Sequence, residues 1–581
     1  MNRILLFFSF VLLPFVALTQ QKTKIIVEKS DNLVFKKEGD VTYLRKPVFR
    51  HDNAVLVCDS AVFYGGDKNY FEAFGNVHIN QADSVHIYSD FLTYDGNSKI
   101  AHATKNVRMV HKDAVLTTNF LDYNMAPRIG KYWNNGKIVT KDITINSRTG
   151  YYFANSRDAY FRYNVKAVTE QSTITSDTLR YNTLSNWAYF YGPTNIKGKE
   201  DNLYTEDGVY NTQSGDAIFG KNNLYTNGSR SLTGDSLYYY GQKAYGKAVK
   251  NIVFRDTVDK AVLKGNLGEY YRKEERVIVT KGAYVGLGTE DSLMVRDIKI
   301  PDTLWISADT LISEMALVKD IPPKMIKNRV ASKNASQISA LIIPANPDKN
   351  ASETPISPKV EAVIAKDSLY LDTAKTRVIN AFYKVKVYKS NLQATADSLY
   401  YADADSTIRW FKNPIIWAEN SQQTGDTIYL ELKNKKLYKS DIIGNAFVVN
   451  LEGDSVNFNQ LKGKRIEGYF DDGNIKSIEV IGNAESIYFN RKDSVVTDMH
   501  QSFAGRILFE FENKELTGVN WLDQNQSKLT PVSELKADDK LLTNFIWKPE
   551  LRPKSKEEIT KYVEPVQKAK PKITTKTTQK E

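Results

Sequence analysis

Cysteine is almost missing from this chain: Cys58 is the only one in 581 residues. No internal disulfide can form, so the fold must stand on packing and ladder hydrogen bonds, and a lone thiol reads as buried and inert. Methionine (7) and histidine (6) are scarce as well. Five of the six histidines, His51, His78, His86, His102 and His111, fall in one stretch. None has a ligand spacing with cysteine or carboxylates, so no metal site is expected. His78 and His86 flank a turn and can face each other across a hairpin. The chain has no G-x-S-x-G elbow, phosphate loop or H-E-x-x-H, so neither catalytic residues nor a cofactor is expected and the chain reads as a non-enzyme. Long apolar runs are lacking after the first, the 15 residues from Ile4 to Leu18 that follow Arg3. With Ala17 and Thr19 before Gln20, residues 1–20 read as a signal peptide. The run is short of the roughly 20 residues of a membrane span.

What the chain has is tyrosine (34) and phenylalanine (26), placed periodically. Tyr64, Tyr94, Tyr123, Tyr152, Tyr181, Tyr210 and Tyr239 follow one another at gaps of 30, 29, 29, 29, 29 and 29. Seven residues after each stands a mostly tiny side chain: Phe71, Ala101, Gly130, Ala159, Ala188, Ala217 and Gly246. Twelve after stand Asn76, Asn106, Asn135, Asn164, Pro193, Asn222 and Asn251. Four before, the column is polar: Ser60, Asp90, Asn119, Arg148, Asp177, Glu206 and Asp235. Alternating segments such as 90–94 and 235–239, bounded by Asp95-Gly-Asn97 and Asn134-Asn-Gly136, read as strands and turns. A period of this length means stacked units, none able to bury its apolar face alone. The expected fold is all-β, an elongated, solenoid-like stack of ~29-residue repeats.

The recurrent Asp of the D-S/T-L motif could suggest paired carboxylates, but once per repeat it is more simply a turn or strand-start residue. The column fifteen after each Tyr contains Ile79, Met109, Ile138, Ile196 and Phe254 and forms an apolar stripe on one strand face. Periodicity alone leaves two readings open, a sealed core or a groove for an extended apolar ligand.

The register fades after about Val295 and resumes at Asp367-Ser-Leu-Tyr370. The expected organisation is a signal peptide (1–20), repeats (21–318), a Pro-rich linker or insertion (319–358), a second repeat block (359–495), terminal strands with a capping helix (496–547, helical spacing over Val532–Asn544) and a basic disordered tail (548–581). That tail holds ten Lys/Arg against five Glu. Nucleic acid is not an expected partner, because no recognition module is present.

Segments such as GDSLYYYGQKAYGKAVKNIVF, with Phe74-Gly-Asn-Val77 and Lys105-Asn-Val107, resemble the repeat of the OstA-like (organic solvent tolerance) family over about 30–300 and 360–490. The resemblance implies an open β-jellyroll whose apolar interior carries lipid acyl chains. It implies periplasmic localisation and lipopolysaccharide or a related glycolipid as ligand. It also implies end-to-end strand addition to other jellyroll-containing transport components, or to further copies as a homo-oligomer. On that reading Ile79, Met109, Ile138, Ile196 and Phe254 line the lipid path. The rival readings are a structural or adhesive β-solenoid without ligand, and a β-helical polysaccharide enzyme.

Overall fold

The computed structural model describes residues 23–295, 298–321, 373–453, 456–492, 495–513 and 515–563. The expected signal peptide, nearly all of the expected linker, and the tail beyond 563 lie outside them. The described residues are strands joined by tight turns, with a few 3-10 turns and one short helix. The all-β expectation holds. Neighbouring strands pair antiparallel.

Each long strand is broken near its middle. In Tyr70–Gln81 the ladder slips between Phe74 and Val77, and comparable slips recur at Val249/Ile252, Phe382/Val385, Ile443/Ala446 and Ile481/Ala484. The cause is the asparagine column, except at Phe382/Val385, where Tyr383 (φ 60°) and Lys384 (φ 54°) make the bend. Asn76, Asn106, Asn135, Asn164, Asn222 and Asn251 all have φ between 44° and 76°, a region that side chains other than Asn and Asp enter only at a cost. Pro193 cannot take this conformation, and Gly192 (φ 93°) takes it instead. The aspartates brace the same bend: Asn76 donates to Asp59 (2.8 Å), Asn106 to Asp90 (2.7 Å), Asn251 to Asp235 (3.0 Å) and Asn445 to Asp426 (3.0 Å). The recurrent Asp is therefore a latch on the bend.

The bends divide the strands into two facing layers. Layer A holds the tyrosine arms, such as 70–74, 91–95 and 100–104; layer B holds the other arms, such as 77–81, 85–88 and 107–111. They meet inside, where a methyl group built on Gly130 of layer A would lie 3.1 Å from Sδ of Met109 in layer B.

The described residues form two compact units, those within 23–199 with 205–213, and those within 200–204 with 214–563. In the second, Ile298–Leu317 pairs directly with Lys375–Lys389, Trp305 opposite Tyr388 and Leu317 opposite Lys375, so the sheet runs straight across the gap in the described residues.

The expected helix over Val532–Asn544 does not form; 3-10 turns stand at Val532–Glu534 and Asp538–Lys540. Nor are residues 548–563 a loose tail. The segment after Pro531 runs back over the outer face of layer B of its own unit as a strap. Three buried glutamines bind it: Gln460 donates to the Lys540 carbonyl (2.8 Å) and accepts from the Leu542 N–H (2.8 Å); Gln422 donates to the Ile546 carbonyl (2.7 Å) and accepts from the Lys548 N–H (2.8 Å); Gln393 accepts from Arg552 (2.6 Å). The Gln460 and Gln422 bonds require extended backbone, which overrides the helical spacing. Leu535, Leu542, Phe545 and Trp547 cover Phe447, Val449, Ile487, Phe489 and Met499. A helix, Lys556–Thr560, then forms, with Ser555 capping Glu558 N–H.

Candidate functional site

The inner face explains the tiny column. Tyr94 lies opposite Ala101, Tyr123 opposite Ala101 and Gly130, Tyr152 opposite Gly130 and Ala159, and Tyr181 opposite Ala159 and Ala188. Each ring lies over a neighbour small enough to make room for it, and all of these side chains are at most 2% exposed. Buried phenols need hydrogen-bond partners; Tyr94, Tyr123 and Tyr152 find them across the seam where the layers meet, and Tyr181 in the turn after its own strand. The Tyr94 hydroxyl bonds His51 Nδ1 (2.6 Å), Tyr123 donates to Gln81 (2.6 Å), Tyr152 bonds His111 Nδ1 (2.8 Å), and Tyr181 donates to Asn186 (3.2 Å). Outside this ladder stand Lys99–Asp52 (2.6 Å) and Arg157–Asp113. A polar recess of about 270 Å³ opens at one step, lined by His51, Asp52, Gln81, Tyr94, Lys99 and Arg128.

Burial shapes the titration of the ladder. Tyr123 is pushed up to about 12 by desolvation. His111 is lowered to about 4, by burial first and then by Arg128 and Arg157; His51 is lowered by burial, against Asp52. These groups stay neutral near pH 7 and act as fasteners. Cys58 is buried and its thiol is pushed up to about 12 by desolvation, which makes it inert. His78 and His86 do face each other (3.2 Å), and no group of three metal-ligating side chains occurs among the described residues.

All five stripe residues sit on the inner face of layer B. Ile79 joins Met109 through Ile87, Met109 joins Ile138 through Leu116, and Ile196 follows Ile174. In the second unit Phe254 pairs with Leu232 and Leu263, and Leu263 with Val285. Their surroundings differ. Ile79, Met109 and Ile138 are at most 1% exposed, whereas Ile196 and Phe254 are half-buried, as are Tyr225, Leu232 and Leu263. In the layer A row of the second unit, Tyr239 is half-buried and Tyr270 is 41% exposed. The first unit is thus packed shut from Ile79 to Ile138 and opens at Ile196, and the second offers a partly uncovered apolar floor around Phe254.

Sequence reasoning found the stripe and missed the seam. One signal was available: seventeen residues after successive tyrosines stand Gln81, His111 and Thr140, all polar at the ends of layer B arms.

No curated protein matches the chain. Among solved structures, a similar one is the crystal structure of LptH, the LptA homologous periplasmic component of the conserved lipopolysaccharide transport device from Pseudomonas aeruginosa. It is 13% identical and covers 24% of this chain and 93% of its own, with a TM-score of 0.19, too slight a likeness to carry an argument. The OstA-like protein family matches residues 22–177 and 170–230. That span contains the bends, the Tyr–small rows and the fastened seam, and over residues 22–230 the chain is similar to the OstA-like protein family.

Proposed function

We propose that the protein binds lipopolysaccharide or a related glycolipid in the periplasm and passes it toward the outer membrane, with acyl chains shielded between layers A and B. The observation that carries this is the half-covered inner floor at Tyr225, Leu232, Phe254 and Leu263, continuing in kind the apolar row of the span that matches the OstA-like family. Each methylene left in water costs about 0.8 kcal/mol, so a lipid with long chains needs continuous cover. Ile196 and Phe254 meet the chains first. Ile79, Met109 and Ile138 join the path only when the Tyr94–His51 and Tyr152–His111 fasteners part.

Partners dock by strand addition. Ile26–Lys29 and Asn32–Lys36 each pair on one side only among the described residues, with Val48–His51 and Val41–Arg45, and Leu33 and Phe35 are more than half exposed. Such an edge is a template for another chain.

The test is a photo-crosslinking residue in cells at Ile196, Phe254, Ile138 and, on the opposite face, Lys137 and Lys197. Lipid captured at Ile196 and Phe254 and absent from both lysines is the expected result. Capture on both faces, or on neither, sinks the reading. A second reading, a scaffold without ligand, is favoured by the complete burial of Ile79, Met109 and Ile138 and would be upheld by capture nowhere.

A further inference from the structure

The outer face of layer B differs between the units. In the second it is apolar, with Trp417, Phe447 and Phe489, and the chain covers it with its own strap. In the first, no segment among the described residues covers it. Its earliest layer B arms, 26–29 and 48–51, hold Glu28, which Arg50 pairs. From residue 54 on, the layer B arms of that unit, at 54–57, 77–81, 85–89, 107–111, 114–118, 136–139, 144–147, 165–168, 173–176 and 194–197, contain no aspartate or glutamate. They do carry Arg108, Lys137 and Lys166, one per repeat, all exposed. None of the three is paired with a carboxylate among the described residues. Arg108 lies 5.5 Å over the ring of Tyr88, itself stacked on His78 at 4.4 Å.

The pairing register sets these cations in one row: Tyr88, Arg108, Thr117, Lys137, Asn146, Lys166. Successive cations stand two strands apart, about 10 Å. Hydroxyl and amide side chains lie between them. A sheet twists by roughly 20–25° per strand, so the four steps from Arg108 to Lys166 turn the row by roughly 80–100°. That turn decides the partner. A flat anionic membrane surface meets only part of such a row, whereas a flexible linear polymer can follow it. The charge density of nucleic acid, one phosphate per 3.4 Å of strand, is far closer than the spacing of the row.

We propose that this face binds a linear acidic glycan carrying about one acid group per disaccharide, whose length is close to the cation spacing. The carboxylates meet Arg108, Lys137 and Lys166, and sugar hydroxyls meet Thr117 and Asn146.

The experiment uses the full chain and hyaluronan, which has this charge spacing, as the probe. Binding is measured at low and moderate salt beside neutral dextran and vesicles containing phosphatidylglycerol. The expected result is hyaluronan binding that weakens with salt and falls tenfold or more in the triple variant Arg108→Gln, Lys137→Gln, Lys166→Gln. Dextran should not bind. The control variant Lys36→Gln, Lys37→Gln, Lys68→Gln, which removes three exposed cations outside layer B in the same unit, should bind as the parent does. All three row residues are exposed and unpaired, so an unchanged melting temperature is expected and verifies folding. The proposal is overturned by no hyaluronan binding at low salt or by equal binding of dextran. It is likewise overturned by an equal loss in the control variant, or by vesicles binding more tightly than hyaluronan through the same three residues.

Discussion

At the scale of single residues, two columns of the sequence turn out to be halves of one packing rule. A tyrosine on one strand needs an Ala or Gly opposite, because both layers close on the same space. Ala188 lies fully buried opposite Tyr181. Ala188→Leu should overpack this site and cost ~1–3 kcal/mol in urea unfolding; an unchanged midpoint would mean the ring has room to move. The fasteners add a pH dependence. His111 ordinarily titrates near 6.5 and in the fold near 4, so the unfolded chain takes up its proton first. Its contribution to stability is complete above about pH 6.5 and is lost as pH falls toward 4. The parent should therefore lose stability across that window, and His111→Gln, which keeps a polar partner for Tyr152, should flatten the loss. A midpoint-versus-pH curve unaltered by this variant would remove His111 from the seam's account. The small column was legible in the sequence because it repeats. The His51–Tyr94 bond was not, because its partners are 43 residues apart and nothing local in either residue names the other.

At the scale of elements, the bend is the unit's defining device, and here the sequence spoke clearly. An asparagine recurring at a fixed offset is what a left-handed position asks for when glycine is not used, and an aspartate column alongside it supplies the brace. Asn106, with φ 49° and a 2.7 Å bond to Asp90, shows both parts. Asn106→Val should cost ~1–2 kcal/mol from backbone conformation alone, whereas Asn106→Gly keeps the conformation and loses only the brace. Chemical denaturation of the two variants separates these terms: equal losses would show that the side-chain bond, and not the backbone, sets the bend. The C-terminal strap was misread for the complementary reason. Its apolar spacing fits a helix locally, but Gln422 and Gln460 offer bonds to an extended backbone, and Gln393 to the Arg552 side chain, from strands 80 to 159 residues away, and tertiary bonds of that range leave no local mark.

At the scale of the whole molecule, one repeat has been finished in two ways, and the difference is thermodynamic. In the first unit the outer face of layer B is polar and cationic and can stand in water. In the second unit Phe447, Val449, Ile487, Phe489 and Met499 stand on that face at 1–5% exposure only because residues after Pro531 cover them. Fully burying such side chains is worth roughly 1.5–3 kcal/mol each, so the strap is integral to the second unit's stability. Ending the chain at Pro531 should expose a contiguous apolar face, with strong binding of a hydrophobic dye and a lowered, concentration-dependent melting transition. Ending it at Val563 should change neither, since the glutamine contacts and Ile559 are then kept. A milder version, Gln422→Ala, removes two buried hydrogen bonds to the strap and should cost ~1–3 kcal/mol for each backbone group left unpaired. The first unit supplies the internal control. Its Tyr–His seam makes no use of the strap, so the His111-dependent loss of stability between pH 6.5 and 4 should persist in the chain ended at Pro531. If that titration vanished together with the strap, the two units could not be treated as separately packed bodies.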